Sequence, residues 1–218
     1  MGYLSGSGFH STTGVSRETL DKLSLYVDLL KKWQGQINLV GPNSLKDVWA
    51  RHMLDSAQIF PYIVNQNKRV LDLGSGAGFP GLVLSIMGVS NVVLLESSQK
   101  KCAFLKEVVR QTSCNAVVFN GRIEKYPVLG SAYYITSRAL ASLETLLFLS
   151  HPLLSDGGQC LFLKGKSYEQ ELTQSRKRWS MGVRVHPSSA GQLVGEGAVF
   201  KQPSLGVLVE IRNLKARD

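Results

Sequence analysis

The sequence is poor in cysteine. Cys102, Cys114 and Cys160 are the only three, and they lie far apart without C-x-x-C spacing. An odd, sparse set argues against a disulfide framework or a zinc site and for a reducing compartment. The four histidines, His10, His52, His151 and His186, form no ligand pattern, so no metal is expected. No apolar run approaches the ~20 residues of a membrane span. The first residues carry no charged-then-apolar leader. These absences point to a soluble cytoplasmic protein without membrane contact. Acidic residues are scarce too: 16 Asp and Glu stand against 25 Lys and Arg, a net charge of +9. The balance points toward a polyanion but does not separate RNA from DNA or a membrane surface. Against these gaps, 44% of the 218 residues are hydrophobic. That is ample for one α/β domain with an appendage, or two small domains.

The chain is organised around Val70-Leu71-Asp72-Leu73-Gly74-Ser75-Gly76-Ala77-Gly78-Phe79-Pro80-Gly81. An apolar strand over 68–73 runs into three alternating glycines, which let the backbone turn sharply and approach a ligand. Pro80 suits the first turn of the next helix. A glycine turn feeding a helix start gathers free N–H groups and favours a ligand with acceptors or a carboxylate. Gly76, Gly78 and Gly81 spell G-x-G-x-x-G, yet in the dinucleotide fingerprint the first glycine directly follows the strand. Here that glycine is Gly74, and Phe79 falls where the third should be. The D-x-G-x-G-x-G form is similar instead to the first motif of class I S-adenosylmethionine methyltransferases. A second strand over 91–95 ends in Glu96, 24 residues after Asp72, where a carboxylate suits two ribose hydroxyls. The competing readings are a plain strand-turn-helix with a solvated Glu96, and a nicotinamide or flavin site.

Around this centre, residues 1–15 read as loose. Ser16 caps a helix reaching Trp33, with Leu20, Leu23, Val27, Leu30 and Trp33 as its apolar stripe. A second helix spans 44–60, with Leu45, Trp49, Met53 and Ala57 facing the core. Arg51, His52, Asp55 and Ser56 lie off that stripe, and an exposed salt-bridge face is the plainest reading of them. From Lys68 on, strands alternate with helices. Further strands are expected over 116–119, 133–136, 158–163 and 206–212, and helices at 80–87, from Ser98, up to about 149, and over 168–179. A Gly/Ser-rich stretch follows Trp179. The fold class is therefore α/β, a mostly parallel twisted sheet with helices on both faces, preceded by a helical extension. Ligands of such sheets bind beyond the carboxyl ends of the strands. Asp72, Glu96, Arg122, Arg138 and Lys164 all fall at such ends. The expected division is 1–66 for the extension and 67–218 for the sheet domain, forming one compact unit.

Lys32-Trp33 with Asn38-Leu39, Arg51-His52-x-Leu54-Asp55-Ser56, the glycine loop through Pro80-Gly81, Ser137-Arg138-Ala139-x-Ala141-Ser142-Leu143 and Leu163-Lys164-Gly165 together resemble the bacterial 16S rRNA (guanine-N7) methyltransferases, the RsmG or glucose-inhibited division protein B family. The resemblance covers about residues 20 to 212. Val40-Gly41-Pro42 stands where the family usually has Thr, and Phe79 replaces a commoner Leu. The resemblance implies a Rossmann-like domain that uses S-adenosylmethionine, with S-adenosylhomocysteine as product. It also implies methylation of N7 of a guanine in the 530 loop of 16S rRNA. The implied cofactor contacts are Asp72, Gly74, Ser75, Gly76, Gly78, Phe79, Glu96, Arg138 and, at the turn bordering the adenine, Arg122, Ile123 and Glu124.

Guanine N7 is a neutral lone-pair nucleophile without a proton, so no general base is required. Positioning remains, and it supplies roughly 7–11 kcal/mol in well-oriented reactions. Arg138, Lys164 and Arg122 are the expected substrate-positioning residues. Arg138 is expected to hold O6 or a phosphate, because a cation on N7 would block the reaction. Its loss should abolish transfer yet spare cofactor binding. Arg51 and His52 extend the expected RNA surface. Arg176-Lys177-Arg178 beside Trp179 suits phosphate contact with stacking, or is simply a solvated helix face. The expected partner is 16S rRNA within the small subunit or a precursor, bound by a monomer. Alternatives are another RNA position, a small-molecule substrate, a nicotinamide-dependent oxidoreductase, and a non-catalytic RNA-binding module.

Overall fold

The computed structural model describes residues 3–188, 192–195, 198–201 and 206–217. Helices α1 (Gly6–Thr13) and α2 (Arg17–Gln34) open the chain. Ser16 caps α2 as its sequence requires, accepting from the Thr19 N–H at 3.1 Å. Residues 6–13, expected to be loose, are helical instead. Ser5 caps them, Gly14 closes them in the left-handed region (φ 68°), and Phe9 is fully buried against Trp49. One docked aromatic outweighs poor helix propensity.

The single helix expected over 44–60 is broken. Pro42–Asp47 winds as 3-10 turns, Trp49–Leu54 as a π-helix, Asp55–Ala57 as the short α3, and Phe60–Tyr62 as 3-10 again. Met53 and Ala57 face the core as expected, but His52, Asp55 and Ser56 are buried as well. π-turns of this kind often occur at functional sites.

Then come β1 (Val70–Leu73), α4 (Gly81–Ile86), β2 (Val92–Glu96), α5 (Gln99–Thr112), β3 (Ala116–Asn120), β4 (Ala132–Arg138), α6 (Leu143–Ser150), β5 (Leu154–Lys164), α7 (Tyr168–Ser175) and β6 (Trp179–Pro187). The strands β7 (Gln192–Gly195) and β8 (Ala198–Lys201) pair as a separate hairpin, and β9 (Val207–Ala216) ends the order. The main sheet runs β3-β2-β1-β4-β5-β9-β6. Its first five strands are parallel, and β9 is antiparallel to both β5 and β6. The strand order reverses between β1 and β4, and such a switch point is where α/β sheets bind ligands.

Two expectations change here. The helix from Tyr168 stops at Ser175, so Arg176-Lys177-Arg178 forms an exposed turn and Trp179 starts an edge strand, buried against His151. The stretch after Trp179 is that strand, signalled by apolar residues at 179, 181, 183 and 185. Parts of the Gly/Ser-rich segment (189–191, 196–197 and 202–205) lie outside the described residues.

Alternate strand residues enter opposite cores, as the period of two demands. Val70, Val92 and Leu94 join α1, α2, α4 and α5 on one face. Leu71, Val93 and Leu95 join α6 and Leu172 of α7 on the other. The N-terminal helices thus share a core with the sheet. No helix among the described residues is long and apolar enough to cross a membrane.

Candidate active site

The carboxyl ends of β1, β2, β3 and β4 open into a cavity of about 590 Å³. Gly74, Ser75, Gly76, Phe79, Glu96, Arg122, Ile123, Glu124, Arg138 and His52 all line it. These are residues that the sequence placed at a cofactor or RNA site. Lys164, Arg51, Arg176, Lys177 and Arg178 are not part of its lining, nor are Asp72 and Gly78.

The glycine loop has the geometry its glycines permit. Gly74, Gly76 and Gly78 take φ of 64°, 58° and 97°. A Cβ on Gly74 would stand 2.5 Å from Leu140, and one on Gly78 would stand 2.8 Å from the Tyr26 hydroxyl. Glu96 closes the loop from β2. Its carboxylate accepts the Gly76 N–H at 2.9 Å and the Ser98 N–H at 2.7 Å.

Asp72 lies beneath the loop, fully buried. Its Oδ1 accepts the Thr136 hydroxyl at 2.8 Å, and its carboxyl packs under Gly81. Burial raises its pKa to about 6 against those bonds. Asp72 therefore supports the loop from below instead of facing the cavity.

The N-terminal segment forms one wall. The Tyr26 hydroxyl of α2 donates to the Ala77 carbonyl in the loop. Burial pushes that phenol well above its ordinary value. Tyr26 (centroids 5.3 Å apart) and His52 (4.8 Å) both stack on Phe79. The Arg138 guanidinium also lies 4.9 Å from the Phe79 ring.

Arg138 is itself held from below. It donates to the Arg51 carbonyl (2.8 Å), to Asp55 (3.3 Å) and to Nδ1 of His52. A guanidinium only donates, so Nδ1 must be the unprotonated ring nitrogen. Nε2 then carries the proton and donates to Ser44 Oγ at 2.9 Å, and the Ser44 hydroxyl donates to the Gly41 carbonyl at 2.6 Å. Burial, followed by the charges of Arg138 and Arg51, lowers the His52 pKa to about 3. His52, expected on an RNA surface, is a neutral, 7% exposed acceptor that orients Arg138. The Arg51 side chain is exposed.

Lys164 is also engaged. It pairs with Glu171 at 2.7 Å and donates to the Ala141 carbonyl at 2.9 Å. Glu171 accepts the Leu143 N–H at 2.6 Å and the Ser167 hydroxyl at 2.9 Å. Burial works to raise the Glu171 pKa, but these bonds outweigh it and hold it below the ordinary value. The pair fixes the 139–142 loop, where Ala139 takes φ of 55°, a conformation few non-glycine residues adopt. Ala139, Leu140 and Ala141 form the cavity wall opposite Glu96.

The sequence reading missed Tyr26, although Leu23, Tyr26, Val27 and Leu30 share the spacing of its stripe. It also missed Leu140, Ser97 and Lys101, which line the cavity. Nothing in the spacing marks these three.

A glycine-rich turn at the sheet's switch point, an acidic residue closing the next strand and an apolar wall after β4 define a Rossmann-like methyltransferase. Solved methyltransferases share this fold. A tRNA methyltransferase from Aquifex aeolicus superposes with a TM-score of 0.56 at 21% identity, over 74% of this chain and 68% of that one. The M. jannaschii TYW2 protein, solved with AdoMet, gives 0.56 at 13% identity, over 84% of this chain and 80% of that one. Residues 19–193 match the family described as rRNA small subunit methyltransferase G, and the chain belongs to that family. Proteins named ribosomal RNA small subunit methyltransferase G are 56% identical in Paramagnetospirillum magneticum, over 81% of this chain and 85% of that protein, and 40% identical in Brucella canis, over 93% and 92%.

Proposed function

We propose that the protein transfers a methyl group from S-adenosylmethionine to N7 of a guanine in the 530 loop of 16S rRNA. The observation that carries this reading is the convergence of the glycine loop, Glu96, the Arg122–Glu124 turn and the Arg138–Ala141 wall on one cavity.

The residues present fit the cofactor. The loop at Gly74–Ala77 suits its carboxylate, since Gly74 and Gly76 carry no Cβ to block a close approach. Glu96, held by two backbone N–H groups, suits the ribose. Ile123, Leu140 and Leu149 supply an apolar wall for the adenine. When bound, S-adenosylmethionine supplies an electrophilic methyl group on a sulfonium sulfur. The chain's own residues position the base and need not accept a proton, since N7 carries none. Their electrostatics suit a step in which positive charge develops on the base. Asp55 offsets Arg138, Glu171 offsets Lys164, and His52 is neutral. Arg138 and Lys164 act on substrate chiefly by fixing the cavity wall, while exposed Arg122 and Arg51 meet RNA directly.

In this reading residues 1–66 and 67–218 work as one unit, a cytoplasmic monomer acting on the small subunit or its precursor. The test is borohydride–aniline cleavage of rRNA after unmethylated subunits are incubated with the protein and S-adenosylmethionine. One new break in the 530 loop, absent without the cofactor, is expected. No break, with cofactor binding shown by calorimetry, would move the reaction to another position or substrate.

A further inference from the structure

A second groove, of about 1000 Å³, runs along the outer face of α6 between the turn after β3 and the start of β6. It shares Ile123, Glu124, Thr145 and Leu149 with the cofactor cavity, so the two are continuous. α6 buries Leu143, Leu146 and Leu147 in the core yet turns Phe148 outward, 68% exposed. Across the groove Leu129 is 66% exposed. The core does not use these apolar side chains.

Arg178 and Arg217 line the groove together with Glu124 and Glu144. Beside it Arg176 and Lys177 are exposed on the turn before β6 and Lys215 at the end of β9, so cations outnumber acids there five to two. The two rims are tied together: the Arg217 N–H donates to the Arg178 carbonyl at 2.8 Å, and its Nε donates to the Trp179 carbonyl at 3.2 Å. Only Arg178 among these five cations has an acidic partner among the described residues, Glu144 at 3.3 Å.

We infer that this groove is a second RNA subsite, which takes an unpaired nucleotide of the substrate beside the cofactor cavity. The inference rests on the rRNA reading above. An exposed aromatic flanked by cations is the chemistry that holds single strands: a base stacks on the ring, and phosphates meet the rim. An apolar protein segment would use Phe148 and Leu129 but would leave Arg176, Lys177 and Lys215 without a counter-charge. Charge complementarity therefore favours the polyanion.

The test uses the full chain, a protein-free rRNA fragment carrying the 530 loop, and intact unmethylated small subunits. Phe148→Ala should weaken fragment binding roughly tenfold, the loss of one stacked base, and Phe148→Trp should restore it. Lys177→Ala, which removes a cation without an acidic partner among the described residues, should lower the slope of log affinity against log salt by about one contact. S-adenosylmethionine affinity, read by calorimetry, should not change in any of the three. Unchanged RNA affinity in both alanine variants overturns the subsite while the parent's methyl transfer still upholds the rRNA reading. A loss seen with subunits but not with the fragment assigns the groove to a ribosomal protein and also overturns it. A parent protein that neither binds nor methylates rRNA removes both readings.

Discussion

The Tyr26 hydroxyl, on a helix outside the Rossmann-like core, donates to the Ala77 carbonyl in the middle of the glycine loop. The loop is therefore braced from the N-terminal segment as well as by Glu96. Tyr26→Phe leaves the packing intact and strands a buried carbonyl, at a cost of about 1–3 kcal/mol. Cofactor affinity by calorimetry should fall several-fold, with the fold retained by circular dichroism. An unchanged affinity would mean that the brace does not reach the loop.

The Lys164–Glu171 pair makes a parallel prediction for the opposite wall. Glu171→Gln keeps the shape but weakens the acceptor for Lys164 and the Leu143 N–H. The 139–142 loop should loosen and the Michaelis constant for the cofactor should rise several-fold. If Lys164 instead met RNA directly, freeing it would tighten RNA binding and leave the cofactor constant untouched.

The strand–glycine–helix centre was legible because each signal there is local: an apolar run, three glycines, and Glu96 at a strand end. Ser16 and Ser98 marked helix starts for the same reason. The second helix was not legible, because nothing in its apolar spacing distinguishes an α-helix from a π-turn. The engagement of Arg138 and Lys164 was not legible either. Both sit at strand ends as read, but their partners Asp55 and Glu171 are 83 and 7 residues away in sequence. Only tertiary packing brings such groups together. Buried Tyr26 was the recoverable omission, since a tyrosine within an apolar stripe requires a partner for its hydroxyl.

Arg138→Ala now carries a different expectation from the one its strand-end position suggested. Removing the guanidinium leaves Asp55 buried without its cation and His52 Nδ1 without a donor. Losing one partner of a buried pair costs about 3–5 kcal/mol. Denaturant unfolding should show that loss, and cofactor affinity should fall along with transfer. Arg138→Ala with Asp55→Asn should recover part of the stability. Full stability in the single variant would make Arg138 a substrate contact alone.

His52 and Asp72 should tilt stability against pH in opposite directions. The folded His52 pKa, about 3, lies below its ordinary 6.5. Between these values the unfolded chain binds the proton and the folded chain does not, so acidification costs stability. From pH 7 to pH 5 the loss is roughly 2 kcal/mol. The folded Asp72 pKa, about 6, lies above its ordinary 3.8. There the folded chain binds the proton first, and acidification over the same range returns roughly 1 kcal/mol. His52→Gln, which keeps an acceptor for Arg138, should therefore resist acid better than the parent. Asp72→Asn should resist it less well. Both comparisons are made on the difference in unfolding free energy between pH 7 and pH 5, so that the remaining titrating groups cancel. If the two variants shift that difference in the same direction, the neutral His52 acceptor or the buried Asp72 carboxyl has been assigned the wrong state.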